Sequence, residues 1–178
     1  MKKNWGFTLI ELLVVVGLVG ILAAVSADLF SSILRAYNNT QIINEIEQNG
    51  NAVLSHLAQQ IRNAARVSST SSDTITVTDQ DGVETIFSFD TVHSLELDAL
   101  ATMIGVVKKG NDILTNYHSV GGINVVTDDS YFDVSTSGGM QQVKIFMKIQ
   151  QAPNAPGRVD YEAETILETT VVVRGGYQ

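Results

Sequence analysis

Glu11 is the only charged residue in an apolar stretch that runs from Phe7 to Ala27. A carboxylate at the centre of a membrane costs about 2.5–3.5 kcal/mol on insertion scales, and somewhat less near a helix end. A simple membrane anchor gains nothing from that cost. A helix that stays in the mature protein could instead use the carboxylate to neutralise the N-terminal ammonium of a neighbouring chain. Glu11 is therefore a candidate assembly residue.

The chain has few other residues that could do chemistry. Its three histidines, His56, His93 and His118, are scattered, and there is no cysteine. None of the histidines falls in an H-E-x-x-H motif, and no nucleophile or glycine-rich phosphate motif accompanies them. We expect packed or solvated histidines, no enzymatic activity and no cofactor. Lys108 and Lys109 are expected to be charges that flank a turn.

An acidic run at residues 127–133 is the one candidate metal site. Asp128, Asp129 and Asp133 could supply hard oxygen ligands to calcium on a loop. The run does not match the D-x-[DN]-x-[DN]-G loop, and aspartates commonly occupy solvated turns. We therefore expect no metal here, and calcium at these three aspartates is the alternative.

The apolar stretch is long enough to cross a membrane. As a helix, residues 7–27 would extend about 30 Å. Lys2 and Lys3 precede the stretch, so the positive-inside tendency leaves them in the cytoplasm and the rest of the chain outside. The sequence predicts a single-pass membrane protein.

Two processing schemes compete at this segment. An ordinary signal peptide would be cut after Ala27, at the small residues V-S-A, and would release a soluble exported protein. Cleavage after Gly6 would instead remove a leader of residues 1–6 and keep a helix that begins with a free amine on Phe7. Glu11 favours the second scheme, because a discarded helix has no use for a carboxylate.

The apolar pattern continues beyond the membrane segment. After residues 7–30, apolar residues recur at three-and-four spacing over residues 31–66, which predicts an amphipathic continuation of the same helix. Gly50 is the weak point, since glycine costs about 1 kcal/mol relative to alanine in a helix. A helix from 7 to about 66 is expected, with a break near Gly50 as the alternative.

A stripe of small residues in the membrane segment indicates helix packing. Gly17, Gly20, Ala24 and Ala27 follow one another at intervals of three or four, which lets another helix approach closely. The alternative is that glycine and alanine are simply common in membrane spans.

The stretch GFTLIELLVVV, after a short basic leader, resembles the class III signal sequence of type IV pilins and type II secretion pseudopilins. The resemblance covers residues 1 to about 30. It implies that a prepilin peptidase cuts between Gly6 and Phe7 and methylates the Phe7 amine. It also implies that Glu11 meets the N-terminus of an adjacent subunit during assembly on an inner-membrane platform. Other pilin subunits, the peptidase, the platform and the membrane are the implied partners.

The resemblance favours a minor subunit over a major pilin. Many major pilins have a proline in the second half of the membrane helix and a disulfide near the C-terminus, and this chain has neither feature. The order of elements also resembles J-type minor pseudopilins. Secretion, DNA uptake, adhesion and motility share the same N-terminal chemistry, so the sequence leaves these roles open.

Residues 67–73 are rich in serine and threonine and predict a linker to a β-rich domain at 74–178. The strand candidates are 74–78, 85–89, 93–99, 103–108, 122–127, 143–150 and 163–175. The last two are expected to pair antiparallel. The predicted fold class is α+β, a long N-terminal helix followed by an antiparallel β-rich domain, and a fragment starting near Ser68 is expected to be soluble, monomeric and β-rich.

The charge balance argues against nucleic acid as a partner. Removal of Lys2 and Lys3 leaves nine basic side chains against nineteen acidic ones. An acidic domain disfavours nonspecific contact with a phosphate backbone. We expect no nucleic-acid binding by the domain as a whole.

Overall fold

The computed structural model of the chain describes residues 8–94, 102–155 and 163–175. One helix precedes antiparallel strands, so the predicted α+β fold is confirmed. The described elements are α1 Leu9–Asn63, β1 Arg66–Ser71, β2 Thr74–Thr78, β3 Glu84–His93, β4 Met103–Lys109, β5 Asp112–Ile113, β6 Ile123–Val125, β7 Tyr131–Ser137, β8 Met140–Gln151 and β9 Glu164–Val172.

Helix α1 is continuous over 55 residues. No proline interrupts it, and Gly50 lies inside it without a break. Gly50 is buried, and a Cβ added there would overlap the Cδ1 atoms of Ile149 and Leu167. The glycine therefore lets the helix approach strands β8 and β9, which explains why a residue that weakens helices is tolerated here.

The chain divides into two compact units between Thr40 and Gln41. The described part of the first unit is almost entirely α1 and is exposed over most of its surface. The second unit contains residues 41–63 of α1 and all the strands. In this unit α1 contributes core side chains, which are Ile46, Val53, Leu54, Leu57 and Ile61.

The strands form two antiparallel sheets. The first sheet has the order β1-β2-β3-β4-β5. In the second sheet β8 is central, with β6 and β7 on one side and β9 on the other. The predicted antiparallel pairing of β8 with β9 is confirmed, with an unbroken register from Gln142↔Val172 to Gln150↔Glu164. The alternation in β8 is confirmed too, because Val143, Ile145, Met147 and Ile149 are all buried.

The linker predicted at residues 67–73 is wrong for most of that range, because β1 occupies Arg66–Ser71. Its serines are exposed, which is why the composition is typical of a loop, but Val67 is buried and pairs with Val77. The Gln141 side chain holds the other edge of β1, because its amide accepts from Val67 N at 3.1 Å and donates to Val67 O at 2.7 Å.

Other differences concern strand ends. Strand β3 extends through His93, and most of the strand predicted at 93–99 lies outside the described residues. Strand β7 was not predicted, because its sequence is mostly polar and only one of its side chains is buried. That side chain is Phe132, which stacks on Phe89 with ring centroids 4.5 Å apart.

Gly105→Ala is expected to destabilise the protein by about 3 kcal/mol or more. Gly105 lies in β4 where the strand passes β6, and a Cβ there would overlap the backbone carbonyl of Val125. A backbone carbonyl cannot move aside as a side-chain end can. Gly121→Ala is the matched control, because a Cβ at Gly121 meets nothing within 4 Å. Urea unfolding of both variants measures the difference, and equal stabilities would contradict the close packing of β4 on β6.

Candidate assembly site on the N-terminal helix

Glu11 lies in the first turn of α1, where it forms a capping box with Thr8. The Glu11 N–H donates to Thr8 Oγ1 at 3.3 Å, and the Thr8 N–H donates to Glu11 Oε2 at 3.5 Å. The Thr8 carbonyl accepts from the N–H groups of Glu11 and Leu12. Both side-chain bonds are long, so their contribution to helix stability is small. The T-x-x-E spacing of Thr8 and Glu11 is the sequence signal for this cap, which was not predicted.

The Glu11 carboxylate has room for another partner. Its residue is exposed, and within the described residues no lysine or arginine forms an ion pair with it. The favourable end of the helix dipole lies beside it, which stabilises a negative charge at this position. The geometry leaves a charged oxygen available to a cation supplied from outside the chain.

The helix around Glu11 presents apolar side chains on every side. An 18-residue window of α1 near the N-terminus has a mean hydropathy of 2.6, and none of it is buried within the chain. The exposed residues include Leu12, Val16, Leu22 and Phe30. By length and composition this helix can cross a membrane, and an apolar surface of this extent calls for lipid or other helices around it.

The polar groups inside this apolar segment are satisfied locally. The Ser26 hydroxyl donates to the Leu22 carbonyl at 2.7 Å. Such bonding to the carbonyl four residues earlier lets a serine lie in an apolar environment at little cost. The alternative cleavage site after Ala27 is inside the same uninterrupted helix.

The small-residue stripe lies on the exposed surface of α1. Gly17, Gly20, Ala24 and Ala27 are all exposed, and a Cβ added at either glycine would meet nothing within 4 Å. The stripe is thus free of contacts within the described chain. The cleavage pair Gly6–Phe7 lies outside the described residues.

The histidines are placed on separate elements. His56 is in α1, where its Nε2 is buried without a hydrogen-bond partner among the described residues. His93 ends β3, and His118 follows β5 in the connection to β6. The described part of the chain contains no group of three or more histidines and acids that could hold a metal ion.

The three aspartates proposed for calcium are engaged differently. Asp129 accepts a hydrogen bond from Lys148 Nζ at 3.1 Å, and Asp133 lies within β7 opposite Lys144. Asp128 lies in the turn before β7. Of the three, Asp129 thus has a lysine ammonium beside its carboxylate.

Ion pairs between neighbouring strands shift several pKa values. A hydrogen bond from Lys108, 2.6 Å away, holds the pKa of Asp90 below its usual value of 3.8. The carboxylate of Glu168 raises the pKa of Lys144, and that of Asp129 raises the pKa of Lys148. All these pairs are partly exposed, so each contributes little to stability. Lys108 therefore links β4 to β3 through its ion pair with Asp90. Lys109, next to Gly110, flanks the turn.

Comparison with known proteins identifies the N-terminal segment. Residues 1–27 match the family model for the prokaryotic N-terminal methylation motif. No curated protein and no solved structure matches the chain. The matched residues include the basic leader, the Gly6–Phe7 pair and Glu11. The chain thus carries a prepilin-type N-terminal methylation motif at the start of a long apolar helix, which supports a precursor of the pilin or pseudopilin type.

Proposed function

We propose that this protein is a minor pilin or pseudopilin, a structural subunit that enters a type IV pilus or a type II secretion pseudopilus. One observation carries the proposal: the methylation motif at 1–27 lies at the start of a helix in which an 18-residue apolar window near the N-terminus is not buried within the chain. A filament core formed from such helices would cover that surface. The absence of cysteine, together with a membrane helix free of proline, favours a minor subunit over a major pilin. The order of a long helix followed by a strand-rich domain resembles J-type minor pseudopilins and related minor pilins.

Maturation would begin in the inner membrane. Lys2 and Lys3 stay in the cytoplasm, and the compact unit from Gln41 onward lies outside it. A prepilin peptidase then cuts between Gly6 and Phe7 and methylates the new amine. The mature chain therefore begins with an ammonium on Phe7, two residues before the first residue of α1, and has Glu11 in the first turn of α1.

Assembly would bring that ammonium to the Glu11 carboxylate of another subunit. An ion pair in a medium of low dielectric offsets part of the insertion cost of the carboxylate. The stripe of Gly17, Gly20, Ala24 and Ala27 would let neighbouring helices pack closely. The partners in this scheme are other pilin subunits, the peptidase and the inner-membrane assembly platform.

Substitution of Gly6 tests the proposed maturation. When the chain is produced together with a prepilin peptidase, the wild type is expected to be shortened to Phe7. Gly6→Val should remain at full length, because the added side chain obstructs the peptide bond that the enzyme must approach, and Gly6→Ala should be cut less than the wild type. Intact mass distinguishes the three products. Efficient shortening of Gly6→Val to Phe7 would contradict the proposal.

A further inference from the structure

Among the described strands, β9 forms an edge of the second sheet. It has nine residues, and β8 is its one strand neighbour among the described elements. The register with β8 is unbroken, so no bulge twists β9 away from a possible partner. The strand contains no proline and no lysine, which are the residues that usually blunt an edge.

The other edges among the described strands are short or covered. Strands β5 and β6 have only two and three residues. The Gln141 side chain hydrogen-bonds to the edge of β1. The edge of β7 is bonded to the segment before β2, because Phe132 N donates to Ser72 O at 2.6 Å. Among the described strands, β9 is therefore the longest edge strand, and it is the one whose edge is not covered by such hydrogen bonds.

The hydrogen-bond pattern shows which groups of β9 are free. Gln151 N donates to Ala163 O, and Val173 N donates to Gln141 O. Because antiparallel hydrogen bonding alternates, the odd-numbered residues of β9 bond to β8 and the even-numbered residues direct their N–H and C=O groups to the open edge. None of these outward groups has a backbone partner among the described residues, and the residues concerned are Glu164, Ile166, Glu168, Thr170 and Val172.

The side chains of the same five residues give the edge a chemical pattern. Ile166 and Val172 are 57% and 41% exposed. Lys144 pairs with Glu168 at 3.0 Å, whereas Lys148 is shared between Glu164 and Asp129. Lys148 lies closer to Asp129, at 3.1 Å, than to Glu164, at 3.6 Å, so the charge of Glu164 at the edge is only partly neutralised and a partner with basic residues is favoured.

A second copy of the chain fits this edge poorly. Antiparallel pairing of β9 with another β9 centred on Glu168 would place two Glu168 side chains opposite each other. Like charges at directly opposite positions destabilise a sheet. The excess of acid over base in the chain adds a general repulsion between copies.

We propose that β9 accepts an extended segment of a different protein as an additional antiparallel strand. Its backbone would bond to the five outward residues, and its side chains would place a basic residue opposite Glu164 and another opposite Glu168. An apolar residue would lie opposite Ile166 and a second opposite Val172. Backbone bonds supply affinity and the alternate side chains supply specificity in such strand addition. This inference goes beyond filament assembly and does not depend on it.

A designed peptide, LTTTKTITK, tests the inference on the full chain in detergent. Fluorescence anisotropy should show a micromolar dissociation constant that rises with salt. The peptide LTTTETITE, with both lysines replaced, should bind at least about tenfold more weakly. So should a version of the lysine peptide with N-methyl groups on the amides that face β9, because it cannot donate to the edge.

A pair of variants places the binding on β9. Thr170→Pro removes an outward N–H without touching the β8 ladder, and it should weaken binding of the lysine peptide at least about tenfold. Thr170→Ala keeps that N–H and should bind like the wild type. Circular dichroism checks that the proline variant is folded, and the N-methylated peptide decides the question if it is not.

Four results of the peptide-binding experiments would overturn the inference. They are no binding of LTTTKTITK at millimolar peptide, equal binding of its glutamate counterpart, equal binding of its N-methylated form, and equal binding by a folded Thr170→Pro. Dissociation of a dimer by Thr170→Pro in the absence of peptide would also overturn it, since the edge would then serve a second copy.

Discussion

Glu11→Val is expected to insert into the membrane and to be cleaved, but to be missing from filaments. Valine removes the cost of about 2.5–3.5 kcal/mol, or somewhat less, for the carboxylate, so membrane integration should be equal or better. The Gly6–Phe7 pair is unchanged, so the peptidase should still act. Incorporation should fail because the ammonium of the next subunit would find no counter-charge. Shearing of filaments, or cross-linking to other pilins, measures incorporation.

The cap between Thr8 and Glu11 calls for a matched control. Glu11→Gln keeps an oxygen that accepts from the Thr8 N–H but loses the charge. If charge pairing is the cause, the glutamine variant should be excluded from filaments like valine. Glu11→Asp keeps the charge with a shorter reach and should be intermediate. Incorporation of Glu11→Gln at the wild-type level would assign this residue to helix capping alone.

A fragment starting at Ser68 is expected to be unfolded, whereas a fragment starting at Gln41 should be a folded, soluble monomer. This replaces the expectation from sequence that the domain begins after a linker. The shorter fragment loses the first two residues of β1 and every core side chain that α1 contributes. Each such side chain contributes about 1.5–3 kcal/mol when buried. Together they match the free energy of unfolding of a typical domain, about 5–15 kcal/mol.

Far-ultraviolet circular dichroism and urea unfolding distinguish the two fragments. The fragment from Gln41 should show mixed helix and strand signals and a cooperative transition. The fragment from Ser68 should show neither. A cooperative, β-rich fragment from Ser68 would mean that residues 41–63 of α1 are not part of the core.

Much of the fold could be predicted because its patterns are strong. The alternation of Val143, Ile145, Met147 and Ile149 sets the face of β8 that is buried, and it could be read without the structure. The three-and-four spacing of Leu54, Leu57 and Ile61 did the same for the second half of α1. Periodicity identifies an element wherever one face is apolar along most of its length.

The missed elements lack that periodicity. Strand β1 buries only Val67, and β7 buries only Phe132, so each has one core side chain in a polar sequence. Their positions come from pairing with β2 and β8, which depends on residues distant in the chain. Gly50 is a similar case. Its low helix propensity can be seen in the sequence, but its close approach to Ile149 and Leu167 depends on the tertiary structure.

In the candidate site, too, some features could be predicted from the sequence and others could not. Glu11 could be identified because a carboxylate in an apolar helix has few explanations. Its cap with Thr8 was also available from the spacing alone. The engagement of Asp129 by Lys148 could not be foreseen, because nineteen residues separate the two partners in sequence.

The intact mass of the native protein distinguishes a retained membrane helix from a discarded signal peptide. A retained membrane helix requires a chain that lacks residues 1–6, begins at Phe7 and carries one additional methyl group. Protein recovered from membranes or sheared filaments is expected to have the mass of this processed chain. A chain that begins at Asp28, in a soluble exported fraction, would contradict it, because the helix and Glu11 would have been discarded as a signal peptide.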